Sequence, residues 1–454
     1  MLIRFVVSNF MSFKDETEFN MLKSNGNGSQ SLKNHIVKTK SGVEVLKTAA
    51  IYGANAAGKS NLVKAIEFLK SIVISANNVL VPQSKRFRLD KSCLDKSSTF
   101  RIEYEYQKIH FDYAVEIFKG KIIEEWLYVI DSVAKNKETL LFKRKNNNVE
   151  FGICFKNKNE IDFALKFLKK QLKDNETVLF KCYELFDENK ILDKICHAFT
   201  KIQIVNPNSF DLLYTESVFL GKKSVDFATT ILSKSKTGIE NIIVHSVEAD
   251  EFFGLNDSEL KRDLIEKFEN ALEDSAKGKK FEAVSFREKN QIYILTKKEN
   301  KYLVSTLCTL HENSDLTFDF LEESDGTRRL FELAPALEEL IYADENTYII
   351  DELERSLHPI LAKQLLKLYS DNSKSNSQLI FTTHESHLLD DELLRRDEIW
   401  FTEKKPDGSS EFYPLSNFNP RGDKVLERGY LQGRYGGIPF LGDFSKLLIE
   451  ENLV

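Results

Sequence analysis

Eight consecutive residues carry the strongest chemical signal in the chain. Gly53-Ala54-Asn55-Ala56-Ala57-Gly58-Lys59-Ser60 fits G-x-x-x-x-G-K-[ST] at every fixed position. Glycine at both ends lets the main chain wrap a phosphate group with its N–H donors, and a helix starting there adds positive partial charge. Lys59 can reach the β- and γ-phosphates of a nucleotide, and the Ser60 hydroxyl can ligate Mg²⁺. A glycine-rich turn before a helix would explain the glycines but not Lys59 and Ser60. With Asn61, the stretch Gly53–Asn61 is the expected nucleotide-binding segment.

Three further clusters could act on the same ligand. Thr347–Ile350 is an apolar run that ends in Asp351 and Glu352. One carboxylate at a strand end suits a Mg²⁺-phosphate site, and a second beside it can polarise an attacking water as general base. A paired Asp-Glu on a surface is the plainer alternative, but the apolar strand before it favours chemistry. Gln378–Thr383 is another short buried run, and it ends in His384. A histidine at the carboxyl edge of a strand can sense a γ-phosphate. His384 and His387 form H-x-x-H rather than H-E-x-x-H, so zinc is not expected. Ser324, Asp325 and Gly326 open a helical run. Ser324 has the type of an N-cap. The same start exposes a hydroxyl and free N–H groups, so Ser324 and Gly326 form a second expected anion contact.

These residues need elements to hold them. The phosphate loop follows the apolar Lys47–Tyr52 and precedes Leu62, Val63, Ile66, Leu69 and Val73 at helical spacing. Residues 98–131 alternate like antiparallel strands. Lys135–Asn148 reads as a basic loop or hairpin tip, and Ser24–Ser31 as a polar loop. From Glu160 to Lys280 the spacing turns helical: Phe163, Phe167, Leu168 and Leu172 share one face, and a looser helical stretch runs from Val225 to Ile243. Strands return at Phe281–Phe286, Ile292–Thr296 and Leu303–Leu307.

The composition sets bounds. With 454 residues, and roughly 150 per domain, about three units are expected. The chain is 42% hydrophobic and 30% charged, enough for a large core. Its 64 Lys and Arg against 70 Asp and Glu leave a net charge of −6, which argues against a dedicated polyanion binder. No apolar run reaches the roughly 18 residues a membrane helix needs. The five cysteines form no C-x-x-C, and the N-terminus shows no cleavage-site pattern, so a cytoplasmic protein is expected.

Taken in order, the motifs resemble the ABC-type ATPase head shared by SMC proteins, RecF and related repair ATPases. Asn9, Phe10, Ser12 and Phe13 are similar to its N-F-x-S-F start, Ser324–Thr327 to its signature, Asp351-Glu352 to Walker B, Ser356–Pro359 to the D-loop region and His384 to the switch histidine. More narrowly, E-S-x-G-T-R, D-E-x-x-x-S-L-H-P and the run Tyr430–Pro439 resemble the OLD-like (overcoming-lysogeny-defect) AAA/ABC-type ATPases of prokaryotic anti-phage defence, and the ATPase subunit of the PARIS system. That resemblance implies an α/β fold: an ABC-type P-loop ATPase head, with a mixed central sheet, flanking helices and an antiparallel β subdomain, interrupted by a mainly helical insertion. The expected lobes are 1–155, with phosphate loop and β subdomain, and 281–454, with signature, Walker B and switch histidine, around an insertion at 156–280.

The resemblance also implies ATP and Mg²⁺ as cofactors, with Ser60 and Asp351 on the metal and Glu352 and His384 as catalytic groups. It implies a homodimer or higher homo-oligomer whose ATP lies between one phosphate loop and the partner's signature. Gln83 is a candidate for its Q-loop glutamine, whose identity the motifs leave open. The segment after His384 is too short for the TOPRIM nuclease domain of OLD proteins, so a separate effector, TOPRIM-like or another nuclease, is expected, with a phage protein as trigger. An SMC/RecF-like clamp acting on DNA is the competing reading, and a transporter ATPase fits less well.

Overall fold

The computed structural model describes residues 1–24, 32–74, 85–131, 137–153, 158–185, 190–207, 222–253, 259–274, 283–288, 291–298, 301–371, 375–418 and 426–438. The polar loop expected at Ser24–Ser31 lies almost wholly outside them, as do Gln83 and Pro439. The chain divides into two compact units. The first comprises Met1–Ile204, Ala343–Leu353 and Leu366–Val454; the second comprises Val205–Tyr342 and Glu354–Leu365.

The first unit contains two large sheets. The central one runs in the order Ile202–Val205, Thr347–Ile350, Gln378–Thr383, Thr48–Gly53, Ile399–Lys404, Ser410–Pro414. Strand Thr48–Gly53 lies parallel to both Gln378–Thr383 and Ile399–Lys404, and Thr347–Ile350 is parallel to Gln378–Thr383. Parallel strands covered on both faces read as continuous apolar runs, and every residue of Thr48–Gly53 and Thr347–Ile350 is buried. The last strand returns antiparallel.

The second sheet is antiparallel throughout, in the order Asn148–Phe151, Lys137–Lys145, Lys121–Asp131, Ile109–Phe118, Ser98–Tyr106, Leu2–Ser8, Thr17–Asn20. The basic loop expected at Lys135–Asn148 is therefore mostly strand. Lys145 stands opposite Glu124 and Arg144 opposite Glu125, so cross-strand charge pairing accommodates the basic residues. Leu141 and Phe142 are fully buried there, and only Asn146 and the following residue make the turn.

Helix Lys59–Ile74 shares one core with both sheets. Leu62, Val63, Ile66, Leu69 and Val73 bury together with Phe5, Val7 and Phe100 of the antiparallel sheet and with Ile51, Ile349 and Ile380 of the central one. Phe10, Phe68 and Phe100 form a ring triangle with centroids 4.9–5.7 Å apart. Each large side chain so buried contributes about 1.5–3 kcal/mol relative to exposure.

Helices Lys158–Gln171, Val178–Leu185 and Lys190–Thr200 complete this unit. Their apolar stripes are less uniform than the spacing suggests: Leu168 is buried, but Phe163 is 63% exposed.

The second unit holds helices Lys222–Lys234, Glu259–Asp274 and Asp325–Tyr342, and an antiparallel sheet. That sheet runs Ile239–Glu248, Lys301–His311, Gln291–Lys298, Ala283–Glu288, with Thr317–Asp319 added on Lys301–His311. The helical stretch expected through Ile243 stops at Lys234. Gly238 turns the chain at φ +84°, and the β-branched Ile239, Ile242, Ile243, Val244 and Val247 then form a strand. The architecture is the expected mixed α/β one: a mixed central sheet with flanking helices and an antiparallel sheet beside it, while the expected helical insertion also carries the strands Ile202–Val205 and Ile239–Glu248 among its helices.

Candidate functional site

Three of the sequence motifs meet at one edge of the central sheet. Strands Thr347–Ile350, Gln378–Thr383 and Thr48–Gly53 are adjacent and parallel, so their carboxyl ends share an edge. Asp351-Glu352, His384 and the phosphate loop follow those three ends directly. The carboxyl edge of a parallel sheet is where such folds hold ligands.

The loop is built from unusual main-chain geometry. Ala56 takes φ +62° and Gly58 φ +116°. A Cβ on Gly58 would stand 2.2 Å from Ser410 Oγ and 2.9 Å from Ser12 Oγ. A Cβ on Gly53 would stand 2.5 Å from the Thr402 carbonyl oxygen. Both glycines are therefore required by close neighbours. The Ala57 carbonyl accepts from Ser410 Oγ at 2.6 Å and Thr402 Oγ1 at 3.1 Å. Asn61 Nδ2 donates to Ser12 Oγ at 2.8 Å, and Ser410 N to the Ser12 carbonyl at 2.8 Å.

Lys59 is buried, and its ammonium lies over the loop. Nζ donates to the Gly53 carbonyl at 2.7 Å and the Ala54 carbonyl at 3.2 Å, and lies 3.3 Å from His384 Nδ1. Ala54, Asn55, Ala56 and Ser60 keep surface exposure around it. Such a loop, with main-chain N–H groups and one ammonium, can cradle phosphate oxygens.

Thr382 organises the two carboxylate residues. Its hydroxyl donates to Asp351 Oδ1 at 2.5 Å and accepts from Glu352 N at 2.8 Å. Asp351 is buried at 4% exposure. Glu352 sits in left-handed backbone, φ +51°, and remains part-exposed. A non-glycine residue there is uncommon and concentrates at functional sites. The donor set fits Mg²⁺: a hydroxyl from Ser60 and a carboxylate from Asp351 are hard oxygen ligands, and this ion uses few protein groups. Asp351 is oriented by Thr382, as metal-bound carboxylates commonly are by an outer hydrogen bond.

Ser324 and Gly326 lie in the second unit. Ser324 Oγ accepts from Thr327 N at 3.2 Å, so the serine caps helix Asp325–Tyr342 as its type suggested. A Cβ on Gly326 would stand 2.8 Å from the Ser356 carbonyl oxygen, so the helix start and the residues after Glu352 approach closely there. Ser356 is itself in left-handed backbone, φ +60°. Glu323 is held by Thr309 Oγ1 and by His311 Nε2 at 2.7 Å.

Sequence reasoning did not assign roles to Thr382, Thr402 and Ser410, and it noted Ser12 only within a motif. Thr382 and Thr402 did carry a signal: each directly follows three apolar residues in a strand and is itself buried. Among the described residues no group of three or more His, Cys, Asp or Glu could hold a metal ion, and no helix is long and apolar enough to cross a membrane.

Comparison with known proteins bears on these features. The family model described as "AAA domain, putative AbiEii toxin, Type IV TA system" matches residues 49–164 and 219–390, more than half of the chain. No curated protein sequence matches. Among solved structures, the SMC head domain from Thermotoga maritima is similar at 13% identity and a TM-score of 0.37, covering 91% of this chain and 98% of that one. The SmcHead bound to the C-winged helix domain of ScpA is similar at 14% identity and a TM-score of 0.38, covering 91% and 97%.

Proposed function

This chain belongs to the AAA-domain family of putative AbiEii toxins, Type IV TA system, and from that premise we propose that it binds ATP with Mg²⁺ and hydrolyses it to ADP and phosphate. The observation that carries the reading is the convergence of Lys59, Asp351-Glu352 and His384 at the carboxyl ends of three adjacent parallel strands.

In this reading the main chain of Gly53–Ser60 wraps the phosphates and Lys59 neutralises the β- and γ-oxygens. Ser60 and Asp351 would hold Mg²⁺, which when bound would supply positive charge to the phosphate oxygens. Glu352 accepts a proton from the water that attacks the γ-phosphorus, and the bond to the β-phosphate oxygen breaks. His384, beside Lys59, contacts the γ-phosphate. Ser324 and Gly326 act in trans: two copies assemble so that each signature helix start faces the partner's nucleotide.

The wider role is that of a regulatory ATPase in anti-phage defence, OLD-like in its motifs and controlling a separate nuclease or toxin. A clamp acting on DNA is the second reading. The exposed Phe163, with Lys166 and Lys170 on the same helix, favours it, because aromatic and basic side chains together suit single strands.

The test is capture of the Glu352→Gln variant from its host with ATP and Mg²⁺. A stoichiometric protein partner with little nucleic acid supports the regulatory role. Nucleic acid without a protein partner overturns it in favour of the clamp.

A further inference from the structure

The run Tyr430–Gly437 has no place in the reading above, yet it packs against the beginning of the phosphate loop. An ideal Cβ on Gly437 would stand 3.7 Å from Gly53 Cα and 3.3 Å from Phe401 Cδ1. Gly437 holds φ +68° and Gly436 φ +69°, conformations that favour glycine. On Gly436 a Cβ would meet the Tyr413 hydroxyl at 2.2 Å. The close approach of this backbone therefore depends on the Gly-Gly pair.

Side chains lock the segment in place. The Tyr430 ring lies edge-on to Tyr52 at 5.7 Å and stacks on Phe401 at 5.5 Å. Tyr430 Oη donates to the Gly437 carbonyl at 3.1 Å, which closes the segment on itself. Tyr413 Oη donates to the Tyr435 carbonyl at 3.0 Å, and Gly437 N to Glu403 Oε2 at 3.4 Å. Tyr52 and Gly53 are the last residues of the strand that launches the loop, and the Gly53 carbonyl is the closest oxygen acceptor of Lys59 Nζ, at 2.7 Å.

We infer that Tyr430 and Gly437 are positioning residues for ATP: the segment they close is a strap that fixes Tyr52 and Gly53, and through the Gly53 carbonyl sets where Lys59 meets the phosphates. Preorganisation of this kind strengthens binding, because less of the loop must be ordered when ligand arrives. The inference rests on the proposal that this loop binds ATP.

The experiment compares wild type, Tyr430→Phe and Gly437→Ala for equilibrium binding of a fluorescent ATP analogue, steady-state hydrolysis and thermal midpoint. Tyr430→Phe keeps the ring contacts and removes only the hydroxyl bond to Gly437. It is expected to weaken ATP several-fold and raise KM, with kcat within about twofold and an unchanged thermal midpoint. Gly437→Ala is expected to weaken ATP at least tenfold. A purely structural role would lower the midpoint without moving the KM-to-kcat balance. If Gly437→Ala does not fold, Tyr430→Phe decides. Wild-type affinity and KM in Tyr430→Phe, in protein that binds ATP, overturn the strap alone. Wild-type protein that binds no ATP overturns the site reading and the strap with it.

Discussion

Lys59 Nζ and His384 Nδ1 lie 3.3 Å apart, although 325 positions separate them in the chain. Strand Gln378–Thr383 pairs in parallel register with Thr48–Gly53, Thr383 opposite Tyr52. The histidine and the phosphate-loop lysine are thus brought together by the sheet itself rather than by a mobile side chain reaching across.

Because both side chains converge where the γ-phosphate of the proposed ATP would lie, their removal should separate binding from turnover. Lys59→Ala is expected to abolish ATP binding. His384→Gln is expected to keep ATP affinity within a few-fold while turnover falls about 10²–10⁴-fold, the range of a positioned acid–base group. Isothermal titration and a phosphate-release assay on the two variants check this. Normal ATP affinity in Lys59→Ala would remove the loop from the account.

Thr382 holds Asp351 and Glu352 with one hydroxyl. Thr382→Val keeps the shape and leaves a buried carboxylate oxygen and an N–H without that partner. A stability loss of about 1–3 kcal/mol is expected from the unmet groups. Loss of an outer hydrogen bond to a metal-bound carboxylate typically costs about 10–100-fold in metal affinity or activity. The Mg²⁺ concentration giving half-maximal ATPase should rise accordingly. Denaturant unfolding and a Mg²⁺ titration measure the two effects separately.

Gly58 combines a left-handed φ with two hydroxyls that crowd its missing Cβ. Gly58→Ala should cost about 1–2 kcal/mol in backbone strain alone and displace Ser410 from the Ala57 carbonyl. ATP binding is expected to fall below detection. Adding Ser410→Ala relieves the closest steric contact but not the strain, so the double variant should recover only part of the binding. Full recovery would show that φ at this position is unimportant.

Lys14 joins Asp90 and Asp407 at 3.1 and 3.2 Å, next to the segment that carries Ser12. Hydrogen bonds from Ser92 and from Lys14 hold Asp90 down to about 2, and hydrogen bonds from Ser409 and then Lys14 do the same for Asp407.

Both carboxyls titrate below their unfolded value of about 3.9. Their contribution is therefore present above that value and is lost as pH falls towards about 2. The contacts are surface ones, so the effect is small and screened by salt. Thermal midpoints of wild type and Lys14→Met should differ above pH 4 at low salt and converge near pH 2. A difference that persists at pH 2 would contradict the pairing.

Much of the site was legible because its signals are local. The phosphate loop, its apolar strand and its amphipathic helix are contiguous, and short buried strands ending in Asp351 and His384 announce a parallel sheet. Long-range pairing was less legible. The charges of Lys137–Lys145 look like a solvated loop until Glu124 and Glu125 stand opposite them. Ile239–Glu248 follows a helix so closely that one spacing blurred into the next, and only Gly238 marks the change. Phe163 has the spacing of a core residue yet faces outward, since spacing fixes a helix face but not what covers it. The contacts of Thr402 and Ser410 with Ala57 span more than 340 positions, and no local pattern encodes them.

The most direct test of the central claim is single-turnover hydrolysis of ATP by wild type and Glu352→Gln at saturating Mg²⁺, with bound nucleotide measured in the same samples. The account predicts that both bind ATP equally and that the variant hydrolyses it at least about 100-fold more slowly, as expected for loss of a general base. Equal hydrolysis rates would show that Glu352 does not activate the water, and equal absence of bound ATP would remove the nucleotide site altogether.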